Sequence, residues 1–178
     1  MIRLFAALPV PEEIGEALLA RQEGIPRARW RPQEALHVTL RFFGEVSNPV
    51  AAELDEALAA VRMPAFDVAL AGAGVFGEAA HMRAVWGGVE ENGDLRRLAA
   101  KCETAAKRVG LAAEKRTYRP HVTLAYLKRA EPAKVGTWLQ AHSLLKSPPW
   151  RADNFGLYSS WSGPDGSRYD LERSYPLG

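Results

Sequence analysis

Apolar positions along this chain recur with two periods, and the switches between them mark an alternation of short strands and helices. Residues 3–9 (R-L-F-A-A-L-P) are an apolar run closed by proline, which predicts a buried strand. Residues 11–23 place Ile14, Ala17 and Leu18 at helical spacing, with Pro11 near the first turn and Gly24-Ile25-Pro26 as the stop. Residues 27–31 alternate basic and apolar, predicting a strand with Arg27, Arg29 and Arg31 on one face. Residues 36–43 predict a strand closed by Gly44. Asn48-Pro49 then signals the cap and first turn of a helix reaching Val61, with Val50, Leu54, Leu58 and Val61 inward. Residues 66–76 and 82–89 predict strands joined by a glycine-containing turn.

The remainder runs through a similar order. Asn92-Gly93-Asp94 leads into a helix through Val109, striped by Leu95, Leu98, Ala99, Cys102, Ala106 and Val109. Residues 121–127 predict a strand, and Pro132 opens a helix carrying Val135, Trp138 and Leu139. Ser147-Pro148-Pro149 breaks the chain before a strand near residues 150–160. Gly163-Pro164-Asp165-Gly166 is a tight turn before a last strand over residues 168–175. The closely spaced hairpins favour antiparallel pairing, so the expected class is α+β.

Two of these strands carry the same tetrapeptide, His37-Val38-Thr39-Leu40 and His121-Val122-Thr123-Leu124. Side chains alternate across a strand, so each copy presents an imidazole and a hydroxyl on one face and an apolar anchor on the other. The offset of 84 residues also superposes residues 11–23 on 95–107, 50–61 on 134–145, Phe66 on Trp150 and Gly72 on Gly156. The expectation is a single domain over residues 1–178, made of two duplicated halves related by a pseudo-twofold axis. Its motif strands, at about 36–43 and 120–127, would belong to two antiparallel sheets lining a central groove, with helices outside.

Composition narrows the setting. Among 178 residues, 47% are hydrophobic and 25% charged, enough for a real core in a water-soluble chain. The net charge of +2 is too mild to demand nucleic acid by itself. A single cysteine, Cys102, excludes an internal disulfide and suits a reducing compartment. No apolar run reaches membrane-spanning length and no signal-peptide core follows Met1. The expectation is a cytoplasmic monomer.

Two histidines titrating near neutrality can divide the work of acid and base around an anionic centre. Hydrolysis of a phosphodiester without metal needs a base for water, an acid for the leaving oxygen and donors for the non-bridging oxygens. His37 and His121 supply the first two, with Thr39 and Thr123 as donors two residues along. Arg41 shares the first face, and Lys115, Arg116, Arg119, Lys128 and Arg129 bracket the second motif. No His-x-x-x-His or Cys-rich metal spacing occurs, nor a Gly-x-Ser-x-Gly elbow, nor a Walker-type phosphate loop. No metal or cofactor is expected.

The paired motifs and their flanks resemble the 2H phosphoesterase superfamily, and within it the RNA 2',3'-cyclic phosphodiesterase branch, also called LigT-like proteins or 2'-5' RNA ligases. The flanks are R-L-F-A-A-L-P, W-R-P-Q-E-A-L-H-V-T-L-R-F-F-G-E-V, Y-R-P-H-V-T-L-A-Y and L-Y-S-S-W-S-G-P-D-G-S-R-Y. The resemblance implies a bilobal fold and a metal-independent opening of 2',3'-cyclic phosphate at an RNA end, leaving a 2'-phosphate. It gives the acid–base roles to His37 and His121, phosphate contacts to Thr39 and Thr123, and matches Phe42 to the aromatic after the first motif. Relatives often have arginine where this chain has Tyr126. That cation is then absent or replaced by Lys128, Arg129 or Arg119, while Tyr126 donates a hydroxyl, stacks on a base or is buried. The expected scheme has neutral His121 activating water and protonated His37 serving the 3'-oxygen. Alternatives are 2'-5' end-joining by the same site run in reverse, and an RNA-end binding module using Trp30, Phe42 and Tyr126 for stacking.

Overall fold

A computed structural model describes residues 1–164 and 166–178. The architecture is α+β, with two four-stranded antiparallel sheets, a two-stranded seam and four helices. In the first sheet, β1 (Ile2–Pro9) lies between β3 (His37–Val46) and β9 (Asn154–Gly163), with β10 (Gly166–Pro176) outermost. A central strand covered on both faces needs no polar alternation. Leu4, Phe5, Ala6, Ala7 and Leu8 are accordingly all buried. In the second sheet, β7 (His121–Tyr126) lies between β2 (Arg29–Trp30) and β6 (Ala84–Val89), with β5 (Leu70–Phe76) beyond β6.

The seam is β4 (Phe66–Val68) against β8 (Trp150–Ala152), with Asp67 opposite Arg151. These two residues differ by the same offset that separates the motifs, so the seam pairs corresponding positions about an approximate twofold axis. The predicted strands over 66–76 and 150–160 therefore each break in two. Their first three residues pair at the seam, and the continuations join different sheets, β5 beside β6 and β9 beside β1.

Helices cross over between the halves. α2 (Asn48–Ala59) and α3 (Gly93–Arg108) pack on each other, with α2 against β1 and α3 against β3. α1 (Glu12–Leu19) and α4 (Pro132–His142) cover the second sheet: Leu18 lies above Gly87 of β6, and the Trp138 indole donates to the Arg21 carbonyl at 2.9 Å. Each helix presents a short apolar stripe to its sheet, Leu54 and Leu58 in α2 and Leu95, Leu98 and Cys102 in α3. Among the described residues, no helix is long and apolar enough to cross a membrane.

Local chemistry moves several predicted boundaries. Ser47, rather than Asn48, caps α2 by accepting from the Val50 amide, while Asn92 caps α3 by accepting from the Leu95 amide at 3.0 Å. The helix predicted over 11–23 ends at Leu19. Its last turn tightens through Arg21 and Gln22 amides bonding three residues back, and the freed Gln22 side chain reaches the Arg31 and Leu124 carbonyls. Strand β3 continues through Gly44, whose φ of +76° fits a second irregularity against β1. The predicted strand over 27–31 shrinks to two residues because Arg27 takes a left-handed conformation, φ 63°. Its three arginines part company: Arg27 and Arg29 are exposed and Arg31 is buried. The turn expected at 163–166 includes Asp165, which lies outside the described residues; Gly163 and Gly166 on either side pair with each other.

Glycine is required where β5 meets β6. A Cβ on Gly74 would fall 2.2 Å from the Trp86 ring, so Gly74→Ala is expected to destabilise by about 1–3 kcal/mol in urea unfolding. Gly136→Ala is the control. It lies inside α4 with nothing within 4 Å, and is expected to stabilise by about 0.5–1 kcal/mol.

Candidate active site

Each motif strand carries one extra residue at the same place. Opposite β1, Ala6 pairs with Arg41 and Ala7 with Thr39, leaving Leu40 unmatched; opposite β6, Val85 pairs with Ala125 and Trp86 with Thr123, leaving Leu124 unmatched. Such a bulge re-aims the side chains that follow it. Before it, Val38, Leu40, Val122 and Leu124 are buried in the core while His37, Thr39, His121 and Thr123 face a shared cleft. After it, the exposed positions fall to Phe42 and Tyr126, each a little under half exposed.

The cleft holds about 880 Å³, with both histidines, both threonines, Phe42 and Tyr126 on its walls. Each imidazole is acted on by the carbonyl two residues before it. His121 Nδ1 lies 2.6 Å from the Arg119 carbonyl, so that nitrogen carries the hydrogen and Nε2 keeps its lone pair. The Ala35 carbonyl stands in the corresponding place before His37 and favours that ring's charged form.

Aromatic rings hold the two imidazoles. His37 stacks on Phe5 at 4.9 Å and meets the edge of Tyr169 at 5.1 Å; His121 meets Phe76 at 4.8 Å and Trp86 at 6.0 Å. Removing water from a ring disfavours its charged form. Desolvation is the main cause that takes His37 down to about 4, with the nearby charges of Arg31 and His121 acting the same way. His121 is lowered too, chiefly by desolvation and against the opposing Arg119 bond.

The predicted cations divide sharply. Arg41 lines the cleft, but its guanidinium is bonded to Glu103, its own strand's Phe42 carbonyl and the Ala112 carbonyl. This arrangement ties β3 to α3 and the segment after it, and occupies Arg41 rather than leaving it free for a ligand. Arg116 pairs with Glu114, and Arg119 is an exposed cleft residue. Lys128 is exposed and outside the cleft lining. Tyr118 was not anticipated; its hydroxyl donates to the Thr39 carbonyl at 2.8 Å and braces the first motif from the other half.

Arg31 was also missed as a site residue, although its place in the alternating R-A-R-W-R run was visible. It is only 7% exposed, lines the cleft, and lies 5.4 Å and 5.2 Å from the Tyr126 and Tyr169 ring centres. Among the described residues, no group of three His, Cys, Asp or Glu side chains forms a metal-binding cluster.

Two motif histidines and two motif threonines meeting between antiparallel sheets are the 2H phosphoesterase architecture. The chain belongs to the 2'-5' RNA ligase superfamily, whose family model matches residues 10–163. The RNA 2',3'-cyclic phosphodiesterase of Archaeoglobus fulgidus is 31% identical over 171 residues, covering 94% of this chain and 96% of that protein. The protein of the same name from Aeropyrum pernix is 46% identical over 105 residues, 57% of this chain and 60% of that one. Escherichia coli LigT, solved complexed with 3'-AMP, superposes with a TM-score of 0.78 at 29% identity, covering 99% of this chain and 98% of LigT.

The half-buried, desolvated His37 carries a stability signature. Its pKa falls from 6.5 to about 4 on folding, so below pH 6.5 the unfolded chain binds this proton first. Its contribution is complete above 6.5 and is lost as pH falls towards 4, amounting to about 3 kcal/mol. His37→Phe is expected to flatten that part of the acid-unfolding curve. Urea denaturation of parent and variant at a series of pH values from neutral to acid checks this: above 6.5 the two stabilities should run parallel with pH, and below it the parent should fall more steeply than the variant.

Proposed function

We propose that this protein hydrolyses 2',3'-cyclic phosphate at RNA ends to a 2'-phosphate, using its two motif histidines as acid and base. The carrying observation is that both imidazoles line one cleft, with His121 held by the carbonyl two residues back. The names of the full-length relatives support the substrate class. One histidine takes a proton from water as the oxygen attacks phosphorus. The other gives a proton to the 3'-oxygen as its bond to phosphorus breaks, leaving phosphate on the 2'-oxygen. Thr39 and Thr123 face the same space and are the donors for non-bridging oxygens, and Phe42 and Tyr126 are platforms for the flanking bases. No metal-bound step enters this scheme.

The two rings differ in how readily they charge, and this favours a division of labour opposite to the one expected from the sequence. His37, driven down to about 4, is the ring most fully neutral near pH 7 and suits the base. His121 is also lowered, with desolvation its main cause but without the Arg31 charge that acts on His37, and suits the acid. The matched bulges at Leu40 and Leu124 and the self-paired seam support reading residues 1–178 as one domain of two repeated halves. The site is complete within one chain, which supports a working monomer. The single cysteine, buried and unpaired, supports a cytoplasmic setting.

Phosphorus NMR of 2',3'-cyclic AMP with the protein in chelator is expected to show 2'-phosphate alone; unchanged substrate or a 3'-phosphate product would refute the proposal. Alanine at His37 or His121 should each cost about 100-fold or more with folding retained. A 3'-bridging sulfur, which leaves without a proton, should restore turnover to the His121 variant and not to the His37 variant. Because the base must be neutral and the acid charged, kcat/KM should rise above pH about 4 and fall before 6.5. A maximum on the alkaline side of 6.5 would contradict both lowered rings.

A further inference from the structure

Six arginines line the cleft, and their partners separate them. Arg41, Arg96 and Arg116 each have a carboxylate, Glu103, Glu91 and Glu114. Arg83 and Arg119 have none among the described residues but stand in solvent. Arg31 alone is both buried and, among the described residues, outside every ion pair.

A guanidinium removed from water without a counter-ion is costly, and proteins rarely keep one without a use. Among the described residues, what holds this one is neutral. It lies beside the Tyr126 and Tyr169 rings and donates to the Ser167 carbonyl at 3.1 Å. Its backbone is fixed to the second motif strand, with the Arg31 amide donating to Leu124 at 2.8 Å and its carbonyl accepting from Gln22. Contacts of these kinds orient the guanidinium without neutralising it. A guanidinium offers five N–H donors in a planar fork, so the Ser167 carbonyl leaves most of them available to the cleft. The Arg31 charge is also close enough to act on the His37 ring.

We propose that Arg31 is the anion-binding residue of this cleft, gripping the non-bridging oxygens of the phosphate between His37 and His121 from its platform on Tyr126 and Tyr169. Resting on the functional reading above, this deepens it. The fork neutralises charge accumulating on phosphorus oxygens, while the threonines provide neutral donors. The tyrosines become parts of the anion site, since they set the plane in which the fork is presented.

The test is calorimetric titration of inorganic phosphate into the parent, Arg31→Met and Arg31→Lys proteins, alongside kcat/KM for 2',3'-cyclic AMP. Arg31→Met should weaken phosphate binding at least tenfold and lower kcat/KM by about 100- to 1000-fold, with lysine recovering part of each. In the parent, phosphate should shift the Arg31 guanidinium N–H resonances, a readout that needs no variant to fold. Phosphate affinity unchanged in a folded Arg31→Met protein, or resonances that stay put at saturation, would overturn the assignment. Arg31-dependent phosphate binding without cyclic-AMP turnover would keep the anion site and discard the proposed reaction. Normal turnover with Arg31-independent binding would do the reverse.

Discussion

Burial of four aliphatic side chains, Val38 and Leu40 on one strand and Val122 and Leu124 on the other, fixes the site. Alternation leaves the neighbouring histidine and threonine no face but the cleft, and a one-residue slip would exchange the imidazoles for aliphatic groups. The bulges at Leu40 and Leu124 pin that register and re-aim the chain, bringing Phe42 and Tyr126 to the opening. The position of the imidazoles and hydroxyls is thus a consequence of hydrophobic burial. Polar contacts then refine it, through the carbonyls of Ala35 and Arg119 on the rings and the Tyr118 hydroxyl on Thr39.

The crossed helices make the two sheets one body. α3 packs on the first sheet while its following segment supplies Tyr118 and Arg119, so the cleft wall beside His37 is built partly from the second half. Arg41 and Glu103 close that wall with a charged pair, both largely withdrawn from solvent. Such a pair contributes orientation more than stability, because desolvation offsets most of its attraction. The cleft consequently combines rings made harder to charge by desolvation with cations of graded freedom, from the paired Arg41 to the buried Arg31, which has no ion pair among the described residues.

Much of this was legible in the chain. The strands and helices follow from periodicity, and an internal offset of 84 residues pointed to an approximate twofold arrangement, though not to the Asp67–Arg151 pairing at the seam. The histidines and threonines were readable because a short tetrapeptide repeated on strands needs only alternation to place it. Side-chain partnership was not readable. Arg41 and Arg31 both lie near the first motif in sequence, yet Glu103, 62 residues away, occupies one and two tyrosine rings support the other. Strand partners were hidden for the same reason: nothing local in residues 66–76 tells that three residues pair with β8 and the rest with β6.

By itself the sequence determined which residues face the cleft and which face the core, because side-chain alternation and apolar patterning are local properties of a strand. Only the tertiary structure decided which histidine is harder to charge and which buried arginine has no counter-ion among the described residues. Desolvation and pairing depend on groups brought from distant parts of the chain, and no spacing along one strand encodes them.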